Sequence, residues 1–129
     1  MLARESREAR AVAEGDPPYL AWLMVAFGGR IVLLRVGDVD WVQAEGNYVR
    51  LHVGERSCLI RETLRNLAER LDPRQFLRIH RSTIVNLERV QEILPWFAGN
   101  HLVVLRGGAQ LQMTRHYRVR MPAEIGRYA

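Results

Sequence analysis

FLRIHRSTIVNL, residues 76 to 87, decides how this chain folds. Phe76, Ile79, Ile84, Val85 and Leu87 are apolar and suited to burial, whereas Arg78, His80, Arg81, Ser82 and Thr83 form a polar group that a core rejects unless every member is paired. The stretch therefore reads as a strand, a polar turn and a second strand. Its polar group needs either solvent or an anionic partner. A guanidinium beside two hydroxyls fits phosphate oxygens or the acceptor edge of guanine, because its donors are planar, forked and permanently charged. On these residues alone a solvated turn accounts for the pattern equally well.

Upstream of this stretch the chain is mostly β. The runs Tyr19 to Phe27 and Arg30 to Val36 flank Gly28-Gly29 at hairpin spacing. The first of them is apolar enough to be either an ordinary edge strand or a surface for a second copy. Gly37-Asp38 turns the chain into a strand from Val39 to Ala44, and Glu45-Gly46-Asn47 turns it again. From Tyr48 to Val53 the residues Val49, Leu51 and Val53 alternate with Tyr48, Arg50 and His52, which predicts a half-buried strand with one wet, partly basic face. Ser57 to Ile60 returns beside it. One helix follows, from about 62 to 71, with Ile60, Leu64, Leu67, Ala68 and Leu71 on one face and Asp72-Pro73 as its stop. Being single and amphipathic, it covers one face of the sheet.

Downstream, strands are expected over Arg89 to Phe97, His101 to Leu105 and Gln110 to Met113, with turns at Ala98-Gly99-Asn100 and Arg106 to Ala109. Thr114 to Arg120 reads as a short helix or turn. At the other end, MLARESREARAVAE is made of good helix formers that Gly15-Asp16-Pro17-Pro18 interrupts. Residues 1–18 are therefore expected to be a tail or linker helix, and 19–129 the domain proper.

Composition narrows the function. The 129 residues suffice for one well-packed domain, and their apolar and charged fractions of 48% and 26% are ordinary for a soluble protein. Every basic side chain is an arginine, nineteen in all, against fourteen acidic residues. Bidentate recognition favours that choice, and so does coding bias in a GC-rich genome. The net charge of +5 equals the excess of the window Arg78 to Arg120, where seven arginines face only Glu88 and Glu92. A localised basic surface is the footprint of a polyanion binder. Cys58 is the single cysteine, which excludes an internal disulfide and fits a reducing cytoplasm. Met1 to Gly15 lacks the apolar block of a signal peptide, and Tyr19 to Phe27 is too short to span a bilayer, so no membrane association is expected.

Enzymatic signatures are missing. His52, His80, His101 and His116 sit at no close ligand spacing with each other or with Cys58, so no metal is expected. His80 and Ser82 have no acid or oxyanion loop beside them. Gly28-Gly29 and Gly107-Gly108 lack the spacing of a nucleotide loop. The chain reads as a binding protein without a cofactor.

Three blocks, DWVQAEGNYVRLHV within the Val39 to Val53 region, RETLRNLAERLDPRQFLRIHRSTIVNL over Arg61 to Leu87 and LQMTRHY over Leu111 to Tyr117, resemble the LytTR-type DNA-binding domain of bacterial response regulators. The likeness runs from about Tyr19 to Met121. It implies a mainly β fold of small stacked antiparallel sheets with one helix, in which loops enter successive major grooves of double-stranded DNA. Carried over by position, the DNA-facing residues are Asn47, Tyr48, Val49 or Arg50 after the first turn, Arg81 and Ser82 in the HRS turn, and Thr114, Arg115, His116 and Tyr117 near the C-terminus. Arg81 and Arg115 suit guanine O6 and N7, and Ser82 and Thr114 suit phosphate. Arg50, Arg78 and Arg118 follow as further phosphate partners, while His80 and Asn86 are assigned to holding the turn. A homodimer on repeated half-sites is implied. Family members usually carry a receiver domain ahead of this one, so the expectation is either a regulator without that input or the output domain of a longer protein, with residues 1–18 as linker. A different class of function remains open: a β-rich interaction or dimerisation module whose arginine face takes an acidic protein. RNA binding is a weaker reading, because the strands show no aromatic stacking platform.

Overall fold

Short runs rich in apolar residues give ten strands in three antiparallel sheets, and five of the strands form the central one. In the computed structural model, which describes residues 19–118, these are β3 (Trp41–Glu45), β4 (Tyr48–Val53), β5 (Arg56–Ile60), β6 (Phe76–His80) and β7 (Thr83–Asn86). Their order across the sheet is β5-β4-β3-β7-β6, antiparallel throughout. A two-stranded ribbon, β1 (Trp22–Phe27) with β2 (Arg30–Arg35), precedes it, and a three-stranded sheet, β8 (Val90–Pro95), β9 (His101–Leu105) and β10 (Gln110–Met113), follows. The expected mainly β fold of small antiparallel sheets is what the chain adopts.

The central sheet has a core on each face. Val42, Val49, Leu51, Phe76 and Ile84 pack with Val25 of the ribbon and with Leu64, Leu67 and Leu71 of the helix region on one side. On the other, Leu77, Ile79 and Val85 meet Val103, Leu105, Leu111 and Met113 of the three-stranded sheet. Each fully buried Leu or Ile contributes about 1.5–3 kcal/mol relative to exposure. The helix α1 (Leu64–Arg70) lies within the range expected for it. Thr63 caps its start by accepting from Asn66 N at 3.0 Å, and Asp72 turns the chain away by accepting from Arg74 N at 2.9 Å. At seven residues it is too short to persist alone, so its packing holds it.

Asn86 joins the layers. It is fully buried, and its amide donates to Gly37 O at 3.1 Å and Val39 O at 2.8 Å while its oxygen accepts from Glu88 N at 2.9 Å. Arg89 completes the joint with ion pairs to Asp40 at 3.0 Å and Asp38 at 3.9 Å. Two details differ from the sequence reading. Val39 and Asp40 precede the third strand instead of starting it, because the chain passes through a 3-10 turn at Val36–Asp38. The C-terminal segment, read as a short helix or turn, is a helical turn, α2 (Arg115–Arg118), so a second short helix joins the one that the family likeness implied. The tail expected over 1–18 and residues 119–129 lie outside the described residues.

Candidate nucleic-acid interface

The three segments singled out in the sequence meet at one end of the central sheet. The β3–β4 turn, Gly46-Asn47, is closed by the Glu45–Tyr48 pair, with Gly46 at φ 60° where a side chain is strained. The β6–β7 turn, Arg81-Ser82, is closed by His80 and Thr83. These two turns are tied directly, since Ala44 N donates to Ser82 O at 2.9 Å. Thr114 is docked beside them by donating its N–H to Ile79 O at 3.0 Å, and its own carbonyl accepts from Tyr117 N and Arg118 N at 3.0 Å each. Two loops and one helical turn thus share an edge, although 67 sequence positions separate Asn47 from Thr114.

A bulge shapes the middle loop. The register of β6 against β7 shifts between Arg78 and His80, so Ile79 keeps to the core while the polar side chains on either side are re-aimed. His80 Nδ1 accepts from Ser82 N at 3.1 Å and lies 2.9 Å from Ser82 Oγ. Burial lowers the His80 pKa below its ordinary 6.5, and the charges of Arg81 and Arg78 add to the effect. The ring therefore stays neutral near pH 7, as an acceptor must. His52, stacked at 3.9 Å on Trp41, is lowered by burial first and by Arg50 second. Both shifts have one sign. A group whose folded pKa lies below its unfolded value binds fewer protons when folded, so stability present above the unfolded value near 6.5 is lost as pH falls from there through the lower folded pKa. Melting temperature should accordingly drop from pH 7.5 to pH 5.5, and in His80→Gln the drop should be smaller; equal drops in both proteins would remove His80 as a cause.

The guanidiniums in this region fall into two groups. Arg50 donates to Ser57 Oγ at 3.0 Å and to the Glu45 carboxylate, and its hydrogen bond to Glu45 holds that carboxyl below its usual pKa. The pairing offsets a carboxylate that would repel phosphate. Arg78 donates to the carbonyls of His80, at 3.4 Å, and of Arg81, and sits 5.8 Å from the centre of the Tyr117 ring. It therefore braces the turn from inside. Arg81 and Arg115, by contrast, are exposed, and no described residue takes their guanidiniums. Ser82 and Thr114 are half-buried beside them, His116 is exposed, and Tyr117 and Arg118 are half-buried. Tyr48 is 42% exposed on the open face of β4. Val49 does not belong to this surface. Its side chain is wholly buried in the core beneath β4, as the period-2 alternation requires.

Among the described residues no group of three His, Cys, Asp or Glu side chains is placed to hold a metal ion, and no helix is long and apolar enough to cross a membrane. Burial raises the Cys58 thiol pKa, so it behaves as a small core hydrophobe.

The family model for the LytTr DNA-binding domain matches residues 29–125. The chain belongs to the LytTR family. It is 31% identical over 103 residues to the sensory transduction protein LytR of Streptococcus mutans, covering 80% of this chain and 42% of that protein. Over 95 residues it is 28% identical to the sensory transduction protein LytT of Bacillus subtilis, covering 74% of this chain and 39% of the relative. Against the transcriptional regulatory protein LytR of Staphylococcus aureus the identity is 26% over 125 residues, 96% of this chain and 51% of the other. The chain thus spans about two fifths to a half of these regulators. In three dimensions the LytTR fold recurs in a LytTr DNA-binding domain of a putative methyl-accepting/DNA response regulator from Bacillus cereus, with a TM-score of 0.73 at 18% identity over 78% of this chain and 93% of that one. DNA binding in a transcription regulator is the function these matches support, and nothing in them favours an interaction module that takes an acidic protein.

Proposed function

We propose that this LytTR domain reads double-stranded DNA in the major groove through Arg81 and Arg115, positioned by the three-element edge of the central sheet. One observation carries this reading: these two arginines are the exposed guanidiniums at that edge without a described partner, while Arg50 and Arg78 are engaged within the protein. A free fork beside a short hydroxyl, Ser82 or Thr114, supplies base recognition and phosphate positioning together. Asn47, Tyr48, His116, Tyr117 and Arg118 flank the forks as lesser contacts, and the domain acts by binding alone. The test is a salt titration on duplex DNA. Log affinity should fall linearly with log salt, and the slope should shrink by about one unit for each phosphate contact removed. A folded protein whose DNA affinity ignores salt would refute the reading.

We further propose that two copies act on repeated half-sites and meet through the ribbon. The outer face of β1 and β2 carries Trp22, Met24, Ile31 and Leu33, exposed by 48 to 72%, and Arg35 lies over the Trp22 ring at 4.6 Å. These four residues present roughly 500 Å² of contiguous apolar surface, the size of the largest patch on a typical monomer, which is often a functional one. Face to face, two such ribbons bury about 1,000 Å², which is short of the roughly 1,600 Å² of a standing dimer. Pairing of this size forms where one DNA molecule holds two copies close together. Ile31→Glu combined with Leu33→Glu should therefore abolish cooperative binding to a duplex with two half-sites while leaving affinity for a single half-site unchanged; retained cooperativity would remove the ribbon as the contact.

A further inference from the structure

The tip of the β8–β9 hairpin, residues 96–100, reads in the sequence as the end of a strand and the turn Ala98-Gly99-Asn100, yet the fold sets it against the C-terminal segment expected to face DNA. Asn100 Oδ1 accepts from Arg115 N at 3.1 Å. Gly99, at φ 79°, lies directly under the Arg115 side chain, so that a Cβ added there would come within 2.9 Å of Arg115 Cδ and 3.7 Å of its Nε. A cleft lined by Ala98, Asn100, Thr114, Arg115 and His116 separates the tip from the helical turn. Backbone hydrogen bonds close the tip. Trp96 N donates to Asn100 O at 2.9 Å, Asn100 N donates to Phe97 O at 3.1 Å, and the Trp96 and Phe97 rings meet edge to face at 4.5 Å.

The tip also carries backbone strain. Ala98, at φ 59°, is the one residue other than glycine with positive φ among the described residues. A side chain in that region is uncommon and is retained where the surroundings over-determine it. Here the consequence is that Ala98 and Gly99 together bend the chain so that a glycine faces Arg115 and an amide oxygen faces its N–H.

We propose that the 96–100 tip is the seat of Arg115, with Gly99 and Asn100 as positioning residues for DNA recognition. Asn100 fixes the backbone of Arg115 at the start of the helical turn. Gly99 leaves the channel along which its methylenes run, so the guanidinium emerges at a set height and angle. A freely rotating arginine meets guanine with a loss of side-chain entropy, and a side chain already laid along a fixed wall loses less. The tip thereby raises both affinity and discrimination without touching a base. This inference rests on the reading of Arg115 as a DNA contact.

Its test uses the full chain with Gly99→Ala, Asn100→Ala, Arg115→Ala and the double variant Gly99→Ala/Arg115→Ala, each subjected to selection from a random duplex pool. Affinity is then measured on the duplex that the wild type enriches. Gly99→Ala and Asn100→Ala should each lower affinity by up to about tenfold and blur preference at the same base positions as Arg115→Ala, with thermal unfolding still cooperative. In the double variant the loss should equal that of Arg115→Ala alone, since a seat without its occupant has no effect. Asn100→Ala removes the acceptor of the Arg115 N–H without forcing the backbone and keeps the test open if the strained Gly99→Ala fails to fold. Unchanged affinity and motif in both tip variants, beside a weakened Arg115→Ala, would overturn the inference and leave the DNA reading standing. Full additivity in the double variant would overturn it too. Wild-type behaviour of Arg115→Ala would instead remove the DNA contact on which the inference rests.

Discussion

Arg115→Ala and Arg81→Ala are each expected to weaken binding to a specific duplex by about 1–3 kcal/mol, which is roughly five- to 150-fold, without loss of folding. The magnitude is that of the proposed bidentate contact to guanine O6 and N7, whose donors have no substitute. Both guanidiniums are exposed and unengaged by described residues, so their removal leaves no orphaned group in the protein. The pair is separated along the chain but joined in space through Thr114 N and Ile79 O. Each variant should also relax preference at its own base position alone. Anisotropy titration of both variants on the wild-type site checks the affinity, and equal affinity for all three proteins would remove these arginines from the interface.

Leu67→Ala should have the opposite signature. Leu67 is 2% exposed and lies where α1 meets Val36, Val39, Val42, Leu51 and Phe76. Truncation removes transfer free energy and leaves a cavity, at a cost of about 2–5 kcal/mol. For a domain of this size that is a large part of the total stability. The seven-residue helix has no intrinsic stability to resist the loss. Binding should fall on every DNA sequence alike, because the β3–β4 turn is carried by strands that α1 buries. Thermal melting distinguishes the two classes: a wild-type melting temperature for Leu67→Ala would contradict the packing account, as a lowered one for Arg115→Ala would contradict the surface account.

Much of this architecture is visible in the residues themselves. Period-2 alternation locates β4 from Tyr48 to Val53, and the turn at Gly28-Gly29 gives the ribbon. The same alternation already places Val49 on the buried side of its strand. Family likeness alone grouped it with the DNA-facing residues, and the local physics was the better guide there. What the sequence does not reveal is which arginines are occupied. Arg50 and Arg81 look equivalent as letters, but Glu45 and Ser57 converge on Arg50 only after β4 pairs with β3 and β5. Arg78 changes role for a related reason. The bulge at Ile79 swings it onto the carbonyls of its own turn, and no period predicts a one-residue insertion. The contact of Asn100 with Arg115 spans fifteen positions and two strands, which no local rule reaches.

Phosphate attraction and base reading are separable, and only the second gives sequence preference. Nineteen arginines guarantee some affinity for any polyanion, so binding alone decides little. The decisive measurement is selection from a random duplex pool at about 150 mM salt, where non-specific contacts are weakened. Enrichment of a motif whose most constrained positions include guanine, and which Arg81→Ala and Arg115→Ala each relax at one position, is the predicted result. A folded protein that binds the pool yet enriches no sequence would contradict the account.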